Sequence, residues 1–172
     1  MKPVTNSKAT AMAKIFCIAN QKGGVGKTTT AVNLAAGLAV LKKRVLLVDL
    51  DPQGNATMGA GVDKAKLESS VYQVLLGMTD VKSALQISES GNFEVLPANR
   101  DLAGAEVEMI DLEQRELRLR HALAEVQGDY DFVLIDCPPA LSMLTLNGLC
   151  AAHGVIIRCS ASTTRLRGCL IW

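Results

Sequence analysis

Gln21-Lys-Gly-Gly-Val-Gly-Lys-Thr-Thr is the stretch whose residue types and spacing point most directly to chemistry. Gly23, Gly24 and Gly26 let the backbone turn tightly, so that successive N–H groups converge on one point, as the binding of phosphate oxygens requires. Lys27 supplies a point cation for β- and γ-phosphates, Thr28 a hydroxyl ligand for Mg²⁺, and Thr29 a hydroxyl for the α-phosphate. The phosphate-binding set is therefore Gly23, Gly24, Val25, Gly26, Lys27, Thr28 and Thr29. The pattern G-x-x-x-x-G-K-[ST] is incomplete, since Gln21 stands at its first glycine and Lys22 follows. A dinucleotide-type G-x-G-x-x-G fits less well, because Thr29 occupies its third glycine position and Lys27-Thr28 would have no purpose. The bland alternative is a glycine-rich turn carrying a solvated lysine.

Two further segments carry carboxylates. Val48-Asp-Leu-Asp-Pro-Gln-Gly-Asn places Asp49 and Asp51 just after an apolar run, and Leu134-Ile-Asp-Cys-Pro-Pro does the same with Asp136. If both runs are strands, all three carboxylates emerge at the carboxyl edge of a sheet, where open α/β sheets bind ligands. Asp51 is suited to hold an attacking water, and Asp49 to act behind the metal or behind Lys27. An Asp-Pro turn is the competing explanation. Asp136 is the expected Mg²⁺ carboxylate, acting through a water, because Mg²⁺ keeps much of its hydration shell.

The elements that must position these groups follow from periodicity. Residues 15–19 form a short continuous apolar run, the signature of a strand buried on both faces, and the glycine-rich turn follows at once. In 28–41, Val32, Leu34, Ala35, Leu38 and Leu41 recur at helical spacing, and Lys42, Lys43 and Arg44 close the segment where cations favour a helix end. Residues 45–48 are a second apolar run. Strand, helix and strand make a βαβ unit with parallel strands in one sheet, so the class is α/β. Further along, 70–76 and 81–85 read as short helices, 93–96 as a strand, and 101–126 as one broken helix or two. Then 132–135 reads as a buried strand, 141–149 as a helix after Pro138-Pro139, and 155–157 as another strand.

The 172 residues suit one domain. With 49% hydrophobic and 20% charged residues, the composition is that of a globular chain and excludes disordered or collagenous classes. Eighteen Lys and Arg against seventeen Asp and Glu leave a net charge of +1, which gives no bulk attraction to nucleic acid or anionic lipid. The five cysteines form no C-x-x-C pair, so neither a disulfide framework nor a zinc site is legible, and reduced thiols in a cytosol are expected. No stretch has the length of a membrane span or a secretory signal. Cys137 reads as a small apolar filler; His121 and His153 have no metal-spaced partners and receive no role. The mixed charges of 106–125 suggest a solvated face.

Taken in order, Lys22-Gly-Gly-Val-Gly-Lys-Thr-Thr, Val48-Asp-Leu-Asp-Pro-Gln-Gly-Asn and Leu134-Ile-Asp-Cys-Pro-Pro resemble the ParA/Soj family of chromosome and plasmid partition ATPases, a branch of the MinD-like deviant Walker P-loop proteins. The resemblance runs over 14–157. It implies a three-layer α/β/α P-loop fold with a mostly parallel sheet, ATP with Mg²⁺, and a nucleotide-sandwich homodimer in which Lys22 reaches phosphates held by the other subunit. It also implies a ParB-like centromere-binding partner, nonspecific DNA binding, a cytoplasmic, nucleoid-associated location and no membrane. By the same resemblance Lys22 and Asp51 are the catalytic residues, Lys27 and Thr28 the phosphate lysine and metal hydroxyl, and Asp136 the metal-side carboxylate. MinD itself resembles the loop but usually lacks Pro52-Gln-Gly-Asn. Two alternatives stand beside the partition ATPase: a nucleotide-binding relic or interaction module without turnover, and a MinD-like regulator.

Residues 1–13 are polar and aperiodic and read as a disordered arm or leader, with a start-like Met12-Ala-Lys inside it. Residues 158–172 do not resemble the family. Back-translated with freely chosen synonymous codons and one C restored, they read Pro-Met-Gln-Cys-Glu-Tyr-Tyr-Ala-Leu-Glu-Gly-Leu-Ser-Asp-Leu, which does. The expectation is a single-base deletion near the Ile157 codon, leaving 14–157 as a partial ATPase domain whose C-terminal part, with its DNA-binding basic surface, is missing. Such a chain would expose sheet edge and apolar face and tend to aggregate.

Overall fold

Apolar runs of about five residues are too short for core helices but long enough to cross a sheet as strands. The computed structural model describes residues 12–20, 24, 26–89 and 91–157. In chain order the elements are β1 (Lys14–Ile18), α1 (Lys27–Val40), β2 (Val45–Asp49), α2 (Asn55–Gly59), α3 (Val71–Leu76), α4 (Val81–Ala84), β3 (Gln86–Ile87), β4 (Glu94–Leu96), α5 (Leu102–Glu108), α6 (Arg118–Ala124), β5 (Phe132–Asp136), α7 (Met143–Ala151) and β6 (Gly154–Ile156). Six strands form one sheet in the order β3-β4-β2-β5-β1-β6. All neighbours are parallel except β3 against β4.

Side chains on successive strand residues point to opposite faces, and the core divides accordingly. Ile15, Cys17, Leu46, Val48, Val133 and Ile135 join one cluster, with residues of α3, α5, α6 and α7. Ile18, Val45, Leu47 and Leu134 join the other, with α1 and α2. Both sheet faces are thus covered by helices, a three-layer α/β/α arrangement, which explains why the strand runs are apolar throughout rather than alternating.

The βαβ unit read from 15–48 is present, but its two strands are not neighbours: β5 lies between them, bonded to β1 on one side and β2 on the other. Local periodicity carries no information on which strand fills that gap. In α1 the residues turned fully inward are Ala31, Ala35 and Ala39, four apart, with Lys27 in the same row. Small side chains let the helix lie close to the sheet, while Val32, Leu34 and Leu38 pack at its margins. Leu41, expected on the apolar face, is 69% exposed. It caps the helix, and Lys42 then turns the chain away with φ 61°.

The break within 101–126 is real. Two helices form, separated at Gln114, which has φ 51°, and by a 3₁₀ turn at Arg115–Leu117. The start of α6 is capped from a distance: Asn147 Oδ1 on α7 accepts the Leu119 N–H at 3.0 Å, and its Nδ2 donates to the Arg115 carbonyl at 2.8 Å. By contrast α3 is capped locally by a box in which the Ser70 N–H donates to Gln73 Oε1 at 2.8 Å. Residues 1–11 and 158–172, on which the expected arm and the expected frame change fall, lie outside the described residues. Ala13, placed in that arm, is buried and donates its N–H to the Gln127 carbonyl at 3.1 Å.

Candidate functional site

The carboxyl ends of β1, β2 and β5 converge on one edge of the sheet, and every described candidate residue lies there. Ile18 at the end of β1 is in register with Asp136 at the end of β5, and Asp136 in turn with Asp49 at the end of β2. The turn between β1 and α1 contains Gly24 with φ 69° and Gly26 with φ 79°, both in the left-handed region that side chains disfavour. Gly26 is the N-cap of α1 and offers no side chain to the helix's first N–H groups, which leaves them and the positive helix end directed at the site. Gln21, Lys22, Gly23 and Val25 lie outside the described residues.

Lys27 is buried, Thr28 half-buried and Thr29 exposed. Thr30, not anticipated from the sequence, folds its hydroxyl back onto the Gly26 carbonyl at 2.8 Å and braces the turn. Asp136 is wholly buried, and neither carboxylate oxygen has a hydrogen-bond partner among the described residues. Burial pushes its pKa up to about 7; the nearby Thr28 hydroxyl and Lys27 ammonium work against that rise, and the charges of Asp49 and Asp51 add to it. Thr28 thus lies close enough to favour the carboxylate without meeting hydrogen-bond geometry. Lys27, Thr28, Asp49, Asp51 and Asp136 therefore share one electrostatic neighbourhood.

Asp49 is equally buried but fully engaged. Its Oδ1 accepts the Asp51 N–H at 3.0 Å, and its Oδ2 accepts both the N–H and the hydroxyl of Thr57 at 2.8 Å. Burial raises its pKa to about 6 and the Thr57 hydrogen bonds moderate the rise. Asp51, half-exposed, sits at the start of a turn in which its Oδ1 accepts the Gln53 N–H at 2.9 Å and its carbonyl accepts the Gly54 N–H at 2.8 Å. The spacing of Asp49 and Asp51 gives no indication of α2 or of Thr57, which the fold sets over Asp49. The only local sign was Gly54-Asn55, a turn pair before a five-residue helix.

Cys137, next to Asp136, is a neutral buried thiol. Its Sγ lies 3.0 Å from that of Cys17, and this contact, followed by burial, pushes its pKa up, the opposite of what a nucleophile needs. His153 is structural: its Nδ1 accepts the Ile15 N–H at 3.1 Å. Beside the site, a cavity of about 480 Å³ is lined by residues including Asn20, Pro138, Leu149 and Val155.

A buried carboxylate with two unsatisfied oxygens beside a hydroxyl suits a hydrated divalent cation. No group of three or more His, Cys, Asp or Glu suited to a metal occurs among the described residues. One carboxylate and one hydroxyl, with substrate oxygens and waters completing the shell, is the way Mg²⁺ is usually held.

The family described as AAA domain matches residues 13–171. The chain is 50% identical over 157 residues to the sporulation initiation inhibitor protein Soj of Bacillus subtilis, covering 91% of this chain and 62% of that protein. It is 48% identical over 157 residues to the chromosome partitioning protein ParA of Myxococcus xanthus, covering 91% and 56%. The structure described as cobyrinic acid a,c-diamide synthase from Mycobacterium smegmatis with bound ATP analogue and magnesium superposes with a TM-score of 0.83 at 51% identity. That match covers 86% of this chain and 60% of the other. The chain thus spans less than two thirds of the length of these relatives. Among the described residues, no helix is long and apolar enough to cross a membrane. With its mostly parallel sheet and a positive-φ glycine turn leading into α1, this chain has the P-loop NTPase fold and belongs to the AAA-domain family, in its ParA/Soj branch.

Proposed function

We propose that the protein binds Mg²⁺-ATP at the carboxyl edge of its sheet and hydrolyses it slowly, as the nucleotide switch of a DNA partition system. The observation that carries this reading is Asp136, a buried carboxylate with both oxygens unpartnered among the described residues, set beside Thr28 and Lys27 at the start of α1. Main-chain N–H groups of 23–26 and the α1 terminus hold the phosphates, Lys27 balances charge on the β- and γ-oxygens, and Thr29 reaches the α-phosphate. Thr28 and Asp136 hold Mg²⁺, which supplies charge neutralisation at the transferred phosphoryl group. Asp51, at the mouth of the site, orients water toward the γ-phosphorus. Lys22 completes the phosphate contacts across an ATP-dependent homodimer, so that turnover waits on association.

In this role ATP binding is the signal and hydrolysis the timer, with a ParB-like partner as the other component, in the cytoplasm; nonspecific DNA binding is assigned to the full-length family and not to residues 14–157. The Soj and ParA names of proteins 50% and 48% identical to this chain support that choice. A second reading, an ATP-dependent synthase, is favoured by the 51% identity to the Mycobacterium smegmatis protein. Phosphate release from Mg²⁺-ATP with no added acid or amine substrate separates the two.

The test is a titration of Mg²⁺-ATP against wild type, Lys27→Ala and Asp51→Ala, read as affinity and as phosphate release. The lysine variant is expected to lose binding; the aspartate variant is expected to bind like wild type and lose turnover. Equal affinity in wild type and Lys27→Ala would refute the site assignment.

A further inference from the structure

We propose that Thr57 is a positioning residue for hydrolysis, its hydroxyl fixing the turn that presents Asp51. This rests on the reading of Asp51 as the carboxylate that orients water.

Thr57 is completely buried in the first turn of α2. Its Oγ1 donates to Asp49 Oδ2 at 2.8 Å and accepts the Ala98 N–H at 2.9 Å, so one hydroxyl joins the end of β2 to the segment following β4. Its own N–H donates to the same Asp49 oxygen at 2.8 Å. Two hydrogen bonds from one residue fix the Asp49 rotamer, and the other Asp49 oxygen then receives the Asp51 N–H at 3.0 Å. The Asp51 backbone is thereby located relative to two strands rather than left to the turn alone.

The same turn is held at its far end. Gly54 has φ 62°, and a Cβ there would lie 2.7 Å from the Ala98 carbonyl oxygen. Lys64 Nζ donates to the Gln53 carbonyl at 2.5 Å. Ala98 thus meets the turn twice, through its N–H on Thr57 and its carbonyl against Gly54. Asp49 is, by this geometry, a bridge between Thr57 and Asp51 with both oxygens spoken for inside the chain. A hydroxyl is needed at 57 because the position must donate to a carboxylate and accept from an amide at once, which valine, of nearly the same shape, cannot do.

The test uses the full chain with Mg²⁺-ATP and compares wild type, Thr57→Val and Thr57→Ser. It reads steady-state phosphate release, affinity for a nonhydrolysable ATP analogue, and the thermal unfolding midpoint. Displacing the carboxylate should lower kcat of the valine variant by about 10- to 100-fold, with KM and analogue affinity within about twofold of wild type. Serine, which keeps the hydroxyl, should retain kcat within about threefold. The role is overturned if valine turns over like wild type, if it loses analogue binding in step with kcat, or if serine falls as far as valine. A valine variant that does not fold also overturns it, by making the hydroxyl a support for the fold alone. Wild type that neither binds nor cleaves ATP removes the hydrolytic reading itself, and this role with it.

Discussion

Asp49 and Asp136 stand opposite one another in register at the carboxyl ends of neighbouring parallel strands, yet one carboxylate is hydrogen-bonded through both oxygens and the other through neither. The two share a residue type and the same depth of burial. What differs is the chain above them: Asp49 has Thr57 and the Asp51 backbone folded over it, whereas the described residues bring no donor onto Asp136. The first is a structural bridge, and the second is the carboxylate we propose for the cation.

Both carboxyls have pKa values raised by burial, to about 6 for Asp49 and about 7 for Asp136, so both bind protons more tightly folded than unfolded. Stability from this source is fully present below their ordinary value of 3.8 and is lost as pH rises through about 6 and 7. Asp80 and Asp131, held below the usual range by hydrogen bonds from Ser83 and Arg44, act in the opposite sense, but only below about pH 4. Nucleotide-free protein in EDTA should therefore show a thermal midpoint that falls between about pH 5 and pH 8. A flat profile across that window would contradict the assigned shifts.

Replacing Asp136 by asparagine removes the buried charge while keeping its shape. At about pH 8, without Mg²⁺, the variant should be more stable than wild type by roughly 2–4 kcal/mol in urea unfolding, since a pKa unit is worth about 1.4 kcal/mol. Below about pH 4, where the carboxyl is protonated in the folded and the unfolded chain alike, the two should agree within about 1 kcal/mol. Mg²⁺-ATP affinity should drop at least about tenfold. Wild-type affinity in the asparagine variant would show that the cation is held elsewhere.

Gly148 on α7 packs against the floor of the site. A Cβ there would lie 2.6 Å from Cys137 Sγ and 3.2 Å from Leu50 Cδ1, both buried. Gly148→Ala should therefore cost about 1–3 kcal/mol in urea unfolding despite its helical position, where alanine is otherwise favoured. A neutral or stabilising result would mean that α7 can slide away from the sheet.

Gly54→Ala strains the Asp51 turn twice, through its positive φ and through the Ala98 carbonyl. Turnover should fall about tenfold or more with ATP affinity changed less than about threefold. If affinity falls and turnover per bound ATP does not, the turn positions nucleotide rather than water.

The chemistry of the site was more legible than its support. Glycines, Lys27-Thr28 and carboxylates at strand ends are local signals, and the structure gathers those among the described residues at one edge. The apolar runs showed the strands because a sheet covered on both faces demands them. Other features belong to partners far away in sequence and leave no local trace. The insertion of β5 between β1 and β2 is one. The two-residue β3 is another, since it exists only by pairing with β4. Asn147 capping α6 and Thr57 bridging to Ala98 are of the same kind: each polar residue looks unremarkable until the fold brings it a partner. Leu41 misled for the converse reason, its helical spacing being correct but its position falling one residue past the end of α1.

The central place of β5 bears on how the molecule acquires its shape. Cys17 on β1 meets Cys137, 120 positions later, and β1 and β2 share no hydrogen bonds of their own, so the first half of the chain leaves the ribosome with β1 and β2 unjoined. Assembly has to wait for a late segment to slot between early ones, a high-contact-order route that favours slow folding and reliance on chaperones during synthesis.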